Sequence, residues 1–473
     1  MKKGTIIEEQ SIGCDILNIE ELLKKQKEFF QSGATLPVKF RIQMLLKLYK
    51  CIKKYENEIN EALKKDLGKC EFDGFMCETG LVLMELNYMI RHTFSYAKKH
   101  RVYTPIGQCI GSGYKKASPY GNVLIMSPWN YPFLLTMTPI SDAIAAGNTI
   151  IVKPSAYSPA SSEIIKKIVE ECFSPEYVAV VTGGREENKE LLNQKFDMIF
   201  FTGSQAVGKD ILHKAADNLT PVVLELGGKN PCVVDSTAKI KLTAKRIVFG
   251  KFLNCGQTCV APDYVICHSS VKEELVNEIK TQIHNQFGDN ILKNDEWGKI
   301  VNEKHFNRIC DLINENKVIC GGEKDLKTLK ITPTVMDNVT WEDKVMQEEV
   351  FGPVLPILTF DTYEELYSLL AGKPKPLALY IFSEDKKSID RTIEKCSFGG
   401  GCVNDTIMQI AINSFGFGGV GESGTGSYHG KAGFDAFSHE KSIHKKVTWF
   451  DFPVRYNPHN NKVFNFLAHL YMR

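Results

Sequence analysis

Two cysteines four residues apart, Cys255 and Cys259, lie in the stretch Phe249-Gly-Lys-Phe-Leu-Asn-Cys-Gly-Gln-Thr-Cys-Val-Ala-Pro262. The thiolate is the reactive form of cysteine, and it forms most readily where amide N–H groups or positive charge face the sulfur. Ala244, Ile247, Val248 and Lys251 recur at spacings of three and four, which predicts a helix over 240–253 with one packed face. Gly256 then admits backbone geometries that other residues resist. The helix should give way to a loop at Cys259, with N–H groups turned towards its sulfur and the thiolate favoured. Taken alone, the same residue also reads as a small buried hydrophobe.

A carboxylate, an amide and a glycine-bearing turn could complete a site around it. Glu225 follows the apolar run Val222-Val-Leu and precedes two glycines. If burial raises its pKa towards neutrality it can act as a general base; otherwise it is a loop or helix charge. Asn130 lies between Pro128 and Pro132, which stiffen the local backbone. Its amide could supply half of an oxyanion hole or simply form a turn. Phe201-Thr-Gly-Ser-Gln-Ala-Val-Gly208 follows a strand pattern and opens a helix, whose free N–H groups suit a phosphate. It lacks the Gly-x-Gly-x-x-Gly dinucleotide spacing, and a plain strand-to-helix turn fits as well. Lys153, at another strand end, could meet ribose or phosphate oxygens or be a surface charge. Joined together, these groups describe one reaction. A thiolate attacks a carbonyl, an oxyanion is stabilised, a nicotinamide cofactor removes hydride, and water cleaves the thioester. No histidine is required.

The elements that must position these residues follow from hydrophobic periodicity. Residues 18–66 read as helices, one of them with Ile42, Leu45, Leu46 and Tyr49 on a single face. A further helix over 81–90 carries Met84, Tyr88 and Met89 as a core stripe. Pro105, Gly107, Gly111 and Gly113 mark an irregular hairpin or extended excursion, able to link domains or reach a second subunit. Over 121–228, apolar strands near 122–126, 149–153, 177–181 and 198–201 alternate with amphipathic helices. That is the pattern of a parallel sheet covered on both faces. Asn130, Lys153, Gly183 and Gly203 fall beyond strand ends, where such sheets bind ligands. After Glu225-Leu-Gly-Gly-Lys229 the pattern restarts, with strands near 231–234, 264–267, 355–360 and 377–382 and helices near 272–286 and 303–315. A short amphipathic helix over 463–470 is expected to dock on protein.

Composition bounds the rest. A chain of 473 residues has room for two or three domains. A net charge of +2 gives no field that recruits nucleic acid. Fourteen cysteines without regular spacing, and a start (Met1-Lys-Lys-Gly-Thr-Ile-Ile-Glu-Glu) that soon turns acidic, point to a reducing cytosol without disulfides. No paired Cys-x-x-Cys motifs suggest a metal site, and no apolar run reaches membrane-spanning length.

Pro128-Trp-Asn-Tyr-Pro, Lys153-Pro-Ser, Phe201-Thr-Gly-Ser, Glu225-Leu-Gly-Gly-Lys, Gly256-Gln-Thr-Cys and Glu349-Val-Phe-Gly-Pro occur in this order along nearly the whole chain. In these segments and their separations the chain resembles the NAD(P)-dependent aldehyde dehydrogenase superfamily. The resemblance implies Cys259 as nucleophile and Glu225 as the base for thioester hydrolysis. It places the Asn130 amide and the Cys259 backbone N–H in an oxyanion hole. It also implies Glu349 on the nicotinamide ribose, Phe351 beside the nicotinamide and Lys153 on the adenosine ribose. Thr202, Gly203, Ser204 and Val207 would lie beside the dinucleotide, with Trp129, Ser155, Leu226 and Gly227 completing the cofactor contacts.

A short N-terminus, Val260-Ala-Pro-Asp-Tyr264 after the nucleophile, Val403-Asn-Asp, the glycine-rich 418–431 and Phe437-Ser-His439 resemble the class 3, or fatty aldehyde dehydrogenase-like, branch. That implies a homodimer using NAD or NADP on aliphatic, medium- to long-chain, or aromatic aldehydes. The implied fold is α/β and aldehyde dehydrogenase-like. It comprises a Rossmann-type cofactor domain (1–100, 119–228 and about 400–435), an α/β catalytic domain (229–399) and a small β oligomerisation arm (101–118 and about 436–450), with a tail at 451–473. Trp129, Tyr131, Leu134, Phe252 and Tyr264 are candidates for an apolar substrate tunnel, with core packing open for each, and Asn404 falls near the substrate site. Ala156 stands where the branch usually has glutamate, which eases acceptance of the NADP 2′-phosphate. The expected protein is cytoplasmic, with no integral membrane association. A coenzyme A-acylating enzyme, or an inactive scaffold or metabolite-binding protein on the same fold, are the rival readings. Cys255 has no matched role beyond packing, though it is close enough to Cys259 for oxidative disulfide formation.

Overall fold

Residues 18–105, 108, 110–451 and 453–472 are described by the computed structural model; the first ten residues, Cys14 and Gly107, on which expectations were placed, lie outside them. Asn18 accepts a hydrogen bond from the Glu21 N–H and so caps α1 (Ile19–Gln31). There follow α2 (Val38–Lys54), α3 (Glu56–Leu67) and α4 (Glu71–Gly74), then a single π turn (Phe75–Thr79) leading into α5 (Gly80–Ala97). Two of the expected apolar stripes are corrected. In α2 the buried side chains are Arg41, Leu45, Leu48, Cys51 and Ile52, and Leu46 is exposed. Arg41 faces inward because its guanidinium donates to Ala145 O (3.2 Å) and Ala146 O (2.7 Å), the last carbonyls of α6 (Leu134–Ala146). In α5 Met84 is exposed, while Glu85 turns inward to accept from the Gly430 N–H (2.7 Å). A polar side chain with a buried partner rotates the inward face in both helices, and apolar periodicity alone does not register that.

The next strands are β1 (His100–Val102), β2 (Gly111–Pro119), β3 (Asn122–Met126), β4 (Thr149–Lys153), β5 (Val178–Val180), β6 (Met198–Gly203) and β7 (Val222–Leu226). From β3 to β7 they are parallel, joined by α6, α7 (Pro159–Cys172), α8 (Arg185–Leu192) and α9 (Gln205–Ala216). Every residue of β3 and β4 is buried. Successive side chains point to opposite faces, so Val123 and Ile125 enter the core under α5 to α7, and Leu124 and Met126 the core under α1 and α9. A strand buried on both faces needs this continuous apolar run.

The second sheet is built from β8 (Pro231–Val234), α10 (Ile240–Phe252), β9 (Tyr264–His268), α11 (Lys272–Phe287), α12 (Glu303–Leu312), β10 (Val318–Cys320), a ribbon of β11 (Lys324–Asp325) and β12 (Lys330–Ile331), β13 (Thr334–Met336), α13 (Lys344–Gln347), β14 (Val354–Phe360), α14 (Tyr363–Leu370), β15 (Ala378–Phe382), α15 (Lys386–Lys395) and β16 (Gly400–Val403). Its order is β10-β13-β14-β9-β8-β15-β16, parallel except for β10. The chain then returns to the first sheet. There β17 (Gly424–Thr425) pairs antiparallel with β7, giving β17-β7-β6-β3-β4-β5. After α16 (Gly430–Ala436), β18 (Ser438–Lys446) pairs along the length of β2, so the expected excursion is a three-stranded antiparallel arm, β1-β2-β18.

The terminal helix α17 (Lys462–Met472) forms as expected but buries none of its residues, and Val463, Phe466 and Leu470 are exposed. Among the described residues, no side chain of α17 is buried against the rest of the chain.

Candidate active site

The loop that carries Cys259 is shaped by three consecutive left-handed residues. Asn254, Cys255 and Gly256 have φ of 53°, 54° and 73°, so the chain leaves the line of α10. Cys255 is thus not one helical turn before Cys259, as a continued helix would place it. Its thiol is buried, with Sγ 3.3 Å from the position a Cβ on Gly298 would take. A side chain at Gly256 would come within 2.2 Å of the Gly352 carbonyl oxygen, which makes glycine obligatory there.

Two amide side chains lock the loop. Gln257 accepts from the Val301 N–H (3.0 Å) and donates to Asn254 O (3.1 Å) and Lys299 O (3.0 Å). Asn230 donates to Cys259 O (2.7 Å) and Ala261 O (3.0 Å) and accepts from the Ala378 N–H (2.8 Å), tying the nucleophile loop to β15.

The N–H groups of Cys259 and Val260 face the Cys259 sulfur, as expected, but the expected thiolate does not follow. Burial, reinforced by the carboxylates of Glu349 and Glu225, pushes the thiol up to about 12. Desolvation of the charged form outweighs two amide dipoles. Glu225 belongs to β7 and is 2% exposed, with neither carboxylate oxygen hydrogen-bonded to the chain. Burial pushes its carboxyl well above the usual range. Asn130 spends one side-chain N–H on Gln257 O (3.0 Å). An amide has two such hydrogens, which leaves one for a ligand.

Cys259, Glu225 and Asn130 line one cleft of about 830 Å³ together with Trp129, Thr202, Gly203, Ser204, Leu226, Gly227, Glu349 and Phe351. The cleft fits a dinucleotide. Thr202 Oγ1 and both Glu225 oxygens are buried without a partner. Gly203 and Ser204 open α9, whose first N–H groups suit phosphate. Gly227 is required for the close approach of Glu349, because a Cβ there would lie 2.1 Å from Oε2. Lys153, Ser155 and Val207 do not line this cleft. Lys153 ends β4 at the same sheet edge, donates to Pro154 O (2.7 Å), and is pushed down to about 8 by burial. Ser155 caps the following turn at the Tyr157 N–H (3.2 Å), and Val207 is exposed in the first turn of α9.

The substrate-tunnel candidates separate. Trp129 and Tyr264 line the cleft. Phe252 is 1% exposed and packs edge-on against Phe287, Leu134 is buried in the core under α5 and α6, and Tyr131 is buried with its hydroxyl on Thr258 Oγ1 (2.6 Å). For these three, core packing is what the structure supports. Asn404 does not line this cleft. Its amide accepts from the Ser383 N–H (2.9 Å) and donates one hydrogen to Ser383 O (2.8 Å).

Several residues that hold the site were given no role from sequence. Lys229 Nζ bonds Asp263 (2.6 Å), Val345 O (2.7 Å) and Glu348 O (2.9 Å), and Asp263 accepts from the Val350 N–H (2.9 Å). Arg308 donates to Glu349 O (3.3 Å) and Val350 O (2.7 Å). Together they clamp the backbone on both sides of Glu349 and leave its side chain to the cleft, where burial pushes it up to about 8. The next side chain, Phe351, has φ of 45°, the kind of local strain that surrounding structure must hold, and meets Trp129 edge to face at 5.3 Å. His305, 5.0 Å from Trp129, is pushed down to about 4, chiefly by burial. Lys229 closes the Glu225-Leu-Gly-Gly-Lys segment and Asn230 directly follows it, the signal in sequence that could have drawn attention to both.

Comparison with known proteins places this geometry. Residues 10–443 match the profile of the Aldehyde dehydrogenase family. The 4,4'-diaponeurosporen-aldehyde dehydrogenase of Staphylococcus aureus (strain NCTC 8325 / PS 47) is 44% identical over 446 residues, 94% of this chain and 97% of that protein. Aldehyde dehydrogenase family 3 member A2 of Pongo abelii is 42% identical over 419 residues, 89% and 86% of the two chains. Among solved structures, the substrate-bound state of Staphylococcus aureus AldH superposes with a TM-score of 0.94 at 43% identity, covering 96% of this chain and 99% of that one.

Proposed function

The chain belongs to the aldehyde dehydrogenase family, in its class 3 branch, and from that premise we propose that it oxidises aliphatic, medium- to long-chain, or aromatic aldehydes through a thioester on Cys259. The enzyme is an NAD(P)-dependent oxidoreductase. NAD(P)+ supplies the hydride acceptor when bound. Cys259 Sγ gives up its proton and attacks the aldehyde carbon. The thiol proton passes to water, while Glu225, a carboxylate made more basic by burial and lining the same cleft, serves the hydrolysis step. The free Asn130 amide hydrogen and the Cys259 N–H receive the developing oxyanion. Loss of hydride leaves the acyl group on sulfur. Glu225 then takes a proton from water, whose oxygen cleaves the thioester to give the acid and the restored thiol. The observation that carries this reading is the meeting of Cys259, Asn130 and Glu225 in one cleft, with both Glu225 oxygens unpartnered. A free carboxylate beside the thioester favours water over coenzyme A as the acceptor.

Tyr264, Trp341, Tyr367 and Leu370 also line the cleft and offer apolar surface to a hydrocarbon chain. The Staphylococcus aureus relative, named for a diaponeurosporen aldehyde, supports the same preference. For the cofactor, Ala156 offers no carboxylate, but another element brings one to Lys153. Glu187 on α8 accepts from the Gly184 N–H (2.6 Å) and acts on Lys153, its carboxyl held below the usual range chiefly by backbone N–H groups. A negative charge there disfavours a 2′-phosphate, so NAD+ is the preferred cofactor. A panel of aldehydes of increasing chain length, run with each cofactor and followed by absorbance of the reduced form, tests both points. kcat/KM rises with chain length and is higher with NAD+, and Glu187→Gln narrows the cofactor ratio by about three- to tenfold, the effect of ~1 kcal/mol. A short-chain optimum, or a ratio unmoved in Glu187→Gln, would remove these assignments.

The six-stranded sheet, the seven-stranded sheet and the three-stranded arm support the division into cofactor domain, catalytic domain and arm. One edge of β18 and one edge of β16 pair with no strand among the described residues. A homodimer in which the arm of one copy extends the sheet of the other satisfies both edges. A cytoplasmic location agrees with the described cysteines, all of which are free. Among the described residues, no helix is long and apolar enough to cross a membrane.

A further inference from the structure

Behind Asn130 lies a buried ion pair that no step above uses. Lys69 and Glu78 are 4% and 0% exposed, and Lys69 Nζ donates to Glu78 Oε1 at 2.5 Å. Lys69 also donates to the backbone carbonyl of Asn130 (3.1 Å) and sits 4.0 Å from the centre of the Tyr131 ring. The other Glu78 oxygen accepts from the N–H groups of Phe133 (2.8 Å) and Leu134 (3.0 Å), where α6 begins. Neither residue stands on regular helix. Lys69 follows Gly68 at φ 69° past the end of α3, and Glu78 lies in the π turn, a distortion that recurs at functional sites.

Stability is a weak reason to keep such a pair, since well-packed apolar residues of similar volume usually do as well. What distinguishes this one is where its remaining bonds go: to residues 130–134, the segment that carries the amide donor. The Asn130 carbonyl is gripped a second time by Asn254 Nδ2 (2.8 Å), which also donates to Gln257 O (3.1 Å). Gln257 O in turn receives the Asn130 side-chain N–H (3.0 Å). Asn254 thus closes a ring that fixes the Asn130 amide against the Cys259 loop, and Lys69, held by Glu78, braces the Asn130 carbonyl of that ring.

We propose that Lys69 and Glu78 are positioning residues for the oxyanion donor, holding the Asn130 peptide so that its remaining amide hydrogen meets the oxyanion on the Cys259 adduct. The proposal rests on the reading of Asn130 as that donor. Lys69→Met lowers kcat by about 10- to 100-fold, the order expected when a donor is displaced rather than removed, while KM for NAD+ stays within about twofold of wild type. In an Asn130→Ala background the same substitution costs less than about threefold, because no amide remains to be aimed.

The pair Lys69→Met/Glu78→Gln leaves no orphaned charge, so it folds with near-wild-type thermal unfolding yet keeps the kcat loss. Wild-type kcat in that double variant, or an equal loss from Lys69→Met in both backgrounds, overturns the proposal and leaves the pair a purely structural element. An unchanged kcat in Asn130→Ala alone overturns instead the oxyanion reading beneath it.

Discussion

Cys259→Ser abolishes aldehyde-dependent NAD(P)H production, lowering kcat by roughly 10⁴-fold or more, the scale on which covalent enzymes lose their nucleophile. The substitution is nearly isosteric, and the bonds that hold the loop come from Gln257 and Asn230 through backbone atoms, so the loop survives it. Cofactor binding, read by quenching of protein fluorescence, stays near wild type. The hydroxyl fails because it is a far weaker acid than a thiol and has no charge partner to activate it. Cys255 does not substitute for the missing thiol. It is 3% exposed, lies against Gly298, and is absent from the cleft lining. Cys255→Ser accordingly keeps most of the activity, and a Cys259→Ser enzyme with unchanged turnover would sink the covalent mechanism.

Glu225→Gln separates the two halves of the reaction. The acyl group still forms, so mixing enzyme, aldehyde and NAD+ releases close to one equivalent of NADH per site in a burst. Steady-state kcat then falls by about 10²- to 10⁴-fold, the range for loss of a general base. Burial raises the Glu225 carboxyl, so the group is protonated and idle at low pH and becomes a base as pH rises through its folded value. Wild-type kcat therefore climbs with pH and levels off, and the Glu225→Gln enzyme lacks that rise. Hydrolysis stopped in this variant, with coenzyme A restoring wild-type rates, would favour the acylating alternative.

The residues that do chemistry were legible because their signals are local. A glycine pair after an apolar strand, prolines flanking Asn130, and Gly256 before Gln-Thr-Cys each act on the backbone within a few residues. Continuous apolar runs likewise revealed the buried parallel strands. Arg41 and Leu46 exchanged places because the carbonyls that Arg41 serves lie on α6, over a hundred positions on. The thiolate expectation counted nearby amides and omitted the enclosure supplied by Glu225, Glu349 and the rest of the cleft. Lys69 meets the Asn130 carbonyl across 61 residues, and Lys229 meets Asp263 across 34. No periodicity links such partners, so the pairing emerges only in tertiary structure. Glu187 shows the same effect, its charge acting on Lys153 from a separate helix.

The central claim is that the substrate is held as a thioester on one particular sulfur and released by Glu225. Intact-mass and peptide mass spectrometry of the Glu225→Gln enzyme, quenched in acid seconds after mixing with NAD+ and an aliphatic aldehyde, tests it most directly. The account predicts an increase equal to one acyl group, confined to the peptide bearing Cys259 and absent without NAD+. An NADH burst with no acylated peptide, or acylation found on Cys255 instead, would contradict it.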